Sequence, residues 1–87
     1  MKPKYLRGKV DEWRMAESLA FGAIKLYWRE IENDANDTKA VIHASHLLIK
    51  QAEYYGVSLK KIIQILRSLP YVSKDIADYV EQREMVK

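Results

Sequence analysis

The sequence predicts an all-α protein, a compact bundle of four helices at about 11–33, 38–55, 58–69 and 73–84 behind a basic arm at 1–9. Three observations carry this. Apolar residues recur every three or four positions, and no stretch alternates with period two for long enough to make a sheet. Three short breaks punctuate the chain: "NDANDT", "GVS" and the Leu69-Pro70 step. The composition, 48% hydrophobic and 31% charged with three Gly and two Pro, is that of a small globular domain. Eighty-seven residues make one domain with a modest core.

The first helix opens on Asp11 and Glu12, acids that suit the positive end of a helix dipole. Its expected inward face is Trp13, Ala16, Leu19, Ala20, Ala23, Ile24, Tyr27 and Ile31. In the loop after it, Asp37 or Thr38 is placed to cap the second helix. That helix has one narrow polar stripe, Lys39, His43, His46, Lys50 and Glu53, and is apolar or small elsewhere, which predicts a central, surrounded position. Gly56 supplies a left-handed stop, Ser58 is placed to cap the third helix, and Pro70 forbids its continuation. Ser73 is placed to cap the fourth helix, with Ile76, Ala77, Tyr79 and Val80 facing inward.

Composition restricts the functional classes. The chain has no cysteine, which favours a reducing, intracellular and cytoplasmic setting and removes thiolate zinc sites. The basic start leads into no apolar signal region. The longest apolar run, "SLAFGAIKLYW", holds a lysine and falls far short of the roughly 20 residues a bilayer span needs, so no membrane partner is expected. His43 and His46 share a helical face without a third ligand, and no phosphate loop or catalytic triad is present. The expectation is a non-enzyme with no cofactor, no metal and no small-molecule substrate.

The net charge of +3 is unevenly spread. Residues 1–9 carry four bases and no acid, whereas residues 39–74 carry six bases and only Glu53. On the third helix Lys60, Lys61, Gln64, Arg67 and Ser68 occupy one arc, opposite Leu59, Ile62, Ile63, Ile65, Leu66 and Leu69. Within "AEYYGVSLKKIIQIL" stand Ala52, then Gly56 four residues on, then Val57, Ile62 and Ile65 at one, six and nine residues after the glycine.

This spacing over residues 48–67 resembles the helix-turn-helix of bacterial and phage regulators. The resemblance implies DNA docking by helix 58–69, with Lys60, Lys61, Gln64 and Arg67 toward the groove. Short basic arms reach backbone or an adjacent groove in such proteins, a role that falls here to Lys4, Arg7 and Lys9. The pattern departs from the family's in a preceding helix of about 17 residues, in bulky Tyr55, and in apolar Leu59 and Ile63. The segment "NDTKAVIHASHLLIKQAEYYGV" is also similar to a helix of phage small terminase subunits, which bind DNA while assembling into rings.

A second reading comes from the first helix. Phe21 and Trp28, seven residues apart, point off its inward face beside Glu17 and Lys25. Either the arm folds back and covers them with Tyr5 and Leu6, or they form a protein contact helped by Arg14 and Arg29. The expected function is a small nucleic-acid-binding protein; the alternative is an accessory subunit that binds a protein partner, or a second copy of itself, through this helix.

Overall fold

A computed structural model describes residues 9–70 and 72–86. The expected sites Lys4 and Arg7, with Tyr5 and Leu6, lie outside the described residues, as does the side chain of Lys9. Four helices form the fold: α1 (Lys9–Glu32), α2 (Asp37–Tyr55), α3 (Leu59–Ser68) and α4 (Val72–Val86). Lys9 therefore begins α1 rather than ending an arm, because the helix starts two residues before Asp11.

The helices stand in the cyclic order α1, α2, α4, α3. Each packs on its two neighbours, so α1 and α4 lie across one diagonal and α2 and α3 across the other. This corrects the expectation that α2 is surrounded. It packs mainly on α1 and α4, and Ile42, Leu47 and Ile49 stay partly exposed where a central helix would cover them. The core is one cluster: Ala16, Leu19, Ala20, Ala23 and Tyr27 from α1, Ala40, Val41, Ala44, Leu48 and Ala52 from α2, Val57 from the turn after it, and Ile62, Ile63, Ile65, Leu66, Val72, Ile76, Ala77 and Val80 from α3 and α4. Trp13, expected to face inward, is 41% exposed on the rim of α1.

Caps differ from expectation at three helix starts. Asn36, not Asp37 or Thr38, caps α2, its side-chain oxygen accepting the Lys39 N–H at 2.8 Å. Ser58 has the extended backbone of a cap but makes no side-chain cap bond; its own N–H donates to the Glu12 carboxylate from α1 at 3.1 Å. Helix α4 starts one residue before Ser73, whose hydroxyl donates to the Pro70 carbonyl at 3.0 Å.

Helices α1 and α2 end alike. After α2, Gly56 lies in the left-handed region (φ 71°), and the Val57 N–H reaches back to the Ala52 carbonyl at 2.9 Å. After α1 the same motif forms with Asp34 at φ 69° and a bond from Ala35 N–H to the Glu30 carbonyl at 3.0 Å. Gly22, by contrast, sits mid-helix, and an added Cβ there would meet nothing within 4 Å. The same substitution should thus act with opposite signs. Gly22→Ala should raise stability by about 0.5–1 kcal/mol and Gly56→Ala should lower it by about 1–2 kcal/mol, read as denaturant midpoints.

Two side-chain bonds tie α1 to α2: the Tyr27 hydroxyl donates to Asp37, and His43 Nδ1 meets Glu30 Oε1 at 2.6 Å. The Tyr27 hydroxyl is pushed up to about 12, chiefly by its hydrogen bond to Asp37, then by burial and by the charges of Asp37 and Asp75. Ionisation would set a phenolate against a carboxylate. The folded chain therefore keeps this proton while an unfolded tyrosine loses it near pH 10.0, and the stability so gained, complete below pH 10.0, drains away up to about pH 12. Over that window wild type should lose more stability than Tyr27→Phe, measured by urea unfolding at stepped pH.

Candidate functional site

Two surfaces present the expected functional residues. The first is the outer face of α3, the most sharply two-sided helix: Ile62, Ile63, Ile65 and Leu66 are buried, while Lys60, Gln64 and Arg67 are exposed. Around the turn before it, Ala52 is 2%, Val57 6%, Ile62 0% and Ile65 7% exposed. Helices α2 and α3, however, make little direct contact, because each packs instead on α1 and α4.

The bases on this face are largely engaged. Lys61 donates to Glu12 Oε1 at 2.7 Å, and the same carboxylate holds the Ser58 N–H through its other oxygen. Arg67 lies between Asp78 at 2.9 Å and Glu81 at 2.5 Å, both from α4. Its guanidinium is held above its ordinary pKa by the Asp78 hydrogen bond first and the Glu81 bond after it. Around Arg67 one positive charge thus meets two negative ones. Lys60 makes no ion pair among the described residues. Taken together, residues 9–86 carry eleven bases and twelve acids, so the basic excess of the chain resides in residues 1–8 and at Lys87.

The second surface is the outer face of α1. Phe21 is 48% exposed and Trp28 51%, with Arg14, Glu17, Ser18, Lys25, Arg29 and Glu32 exposed around them. They stay outside because α1 has already buried its opposite side through Ala16, Ala20 and Ala23 at 0% exposure, and α4 is across the diagonal. The Tyr27 and Trp28 rings meet edge to face, with centroids 5.0 Å apart at 83°. One side of Trp28 walls an open cleft of about 540 Å³ with Tyr27, Asp37, Val72 and Asp75.

The expected residues therefore fall on separate helices: Lys60, Lys61, Gln64 and Arg67 on α3, and Arg14, Phe21, Trp28 and Arg29 on α1. Glu12, which links the two helices, was not among them, and nothing local in the sequence marks it: its partners are 46 and 49 residues away. Trp13 and Tyr54, 41% and 68% exposed, are further outward aromatics. His43 and His46 are exposed, paired with Glu30 and Tyr79, and no group of three or more metal-ligating side chains gathers among the described residues. Among those residues no helix is long and apolar enough to cross a membrane.

Compared with known proteins, the chain is matched by no family model, no curated protein and no solved structure. The class defined here is that of the fold itself, an all-α four-helix bundle.

Proposed function

We propose that the protein is a non-enzymatic interaction subunit that binds another polypeptide through the outer face of α1. The observation that carries this is the half-exposure of Phe21 and Trp28, two turns apart on one side of a helix whose other face is already in the core. Covering the exposed halves of two such side chains removes about 150–250 Å² of apolar surface from water, worth about 4–6 kcal/mol before association costs. An exposed ion pair contributes about 0–1 kcal/mol, so the aromatics dominate and Arg14 and Arg29 refine the fit. The cysteine-free composition supports a reducing, intracellular setting.

A photo-crosslinking phenylalanine derivative in place of Phe21 should give a discrete polypeptide adduct in the cells that produce the protein. The same group in place of Gln64 should give none. Equal labelling at the two positions, or no adduct at 21, removes the reading.

One observation favours a second reading, DNA docking by α3. Ala52, Val57, Ile62 and Ile65 are buried around a left-handed Gly56, as the helix-turn-helix resemblance implies, and Lys60, Gln64 and Arg67 face outward. This reading expects anisotropy of a labelled duplex to report binding that weakens by decades between low and physiological salt. It expects Lys60→Ala with Arg67→Ala to abolish that binding in a folded chain. Binding that survives the double substitution, or none at low salt, defeats it.

A further inference from the structure

We infer that the occupant of the α1 face is a second copy of the chain, whose α1 runs antiparallel to the first. The inference rests on the reading of α1 as a protein-binding surface and adds the identity of the partner.

The outermost line of α1 is Arg14, Ser18, Phe21, Lys25, Trp28 and Glu32, in alternating steps of four and three. That spacing sets the six in one line along the helix, as the seam positions of paired helices are, with Phe21 and Trp28 its apolar members, and all six residues are exposed. None of the four charged or hydroxyl side chains among them has a hydrogen-bond or ion-pair partner among the described residues. In antiparallel seams the two alternating positions face one another. Pairing across the full line sets Arg14 against Glu32 of the second copy, Ser18 against its Trp28, and Phe21 against its Lys25, and each pair recurs by the two-fold axis.

Every layer of this register is complementary. A cation meets the seam's one acid, the largest side chain meets the smallest residue, and an ammonium lies over an aromatic face. Other registers lose this. Sliding by one heptad in one direction sets Arg14 against Lys25; sliding in the other places Glu32 on Phe21 and leaves Arg14 and Ser18 without a facing residue. A parallel, in-register pair stacks Arg14, Lys25 and Glu32 each on its own copy. The favoured contact covers residues 14–32, about 27 Å of helix. The partly buried Ile24 and Ile31 border it on one side, and Arg29 lies on the other.

The test uses the full chain, with light scattering on size-exclusion eluates and sedimentation equilibrium. Wild type should be a dimer. Arg14→Glu and Glu32→Arg, each alone, set like charges against each other twice and should raise the dissociation constant roughly tenfold or more. Mixing the two variants restores both charge pairs in a heterodimer, so dimerisation should return.

A wild-type monomer at concentrations on the order of 100 µM overturns the inference. A crosslink from position 21 to a different polypeptide would then leave the broader reading standing, whereas absence of any crosslink removes both. A dimer indifferent to the single changes, or a mixture that fails to re-associate, also overturns it.

Should a charge variant misfold, Ser18→Cys mixed with Trp28→Cys serves instead, in a chain with no other cysteine. Oxidation should link the two variants as heterodimers through the Ser18–Trp28 layer. No such linkage overturns the inference.

Discussion

The architecture depends on the alanines that α1 and α2 contribute to the core, because side-chain size at a helix contact sets how closely the axes approach. Ala16, Ala20 and Ala23 on α1 and Ala40 and Ala44 on α2 are all fully buried, and these two helices make the most extensive contact in the molecule. A face built of alanine is narrow. It leaves Phe21 and Trp28 outside the contact, and it draws α2 close enough for Tyr27 to reach Asp37 and His43 to reach Glu30. The large apolar volumes come mostly from elsewhere: Leu48 of α2, Ile62 and Leu66 of α3, Ile76 and Val80 of α4. Helix α1 thus joins the core mostly through small residues, with Leu19 and Tyr27 beside them, and leaves Trp13, Phe21 and Trp28 on the surface.

The same packing decides what α3 can present. At its N-terminal end the Glu12 carboxylate receives the Ser58 N–H and the Lys61 ammonium together, acting as a cap supplied by another helix. Near its C-terminal end Arg67 bridges to Asp78 and Glu81, fixing α3 against α4. Each pair is partly or largely exposed and contributes little stability alone. The consequence for recognition is larger. A lysine and an arginine that look free along the chain are locally neutralised in space, and docking on phosphate would have to compete with their carboxylates.

Much of the fold was legible in the sequence, and the failures share a cause. Four helices, the Gly56 turn, the Pro70 stop and the buried faces of α3 and α4 follow from spacing and from residues with few backbone options. Cap identity did not, because Asn36, Asp37 and Thr38 are all competent caps, and only the angle at which the chain enters α2 selects Asn36. The angle of Trp13 on the helix points it inward, yet an arc that wide exceeds what the alanine face can cover. The position of α2 departs from its pattern for a related reason: an apolar arc can border solvent when its neighbours stand at two sides only. The ion pairs of Lys61 and Arg67 were beyond sequence reading, since helical periodicity says which side of a helix is polar and nothing about which acid stands opposite.

The two surfaces obey different physics, and this ranks them. Across residues 9–86 acids and bases nearly cancel, so the body exerts no long-range pull on a polyanion, and any strong positive field must come from the few bases outside it. Half-exposed aromatic area, in contrast, acts at contact and is indifferent to net charge. Added salt screens the first kind of attraction while leaving the second intact or strengthened. Under the proposed reading, charge along α1 chooses partner and register while apolar area supplies affinity, the usual division of labour between polar and apolar groups at an interface. A helix that buries alanine and exposes tryptophan keeps its contact-range apolar area on the outside, and in this chain that helix is α1.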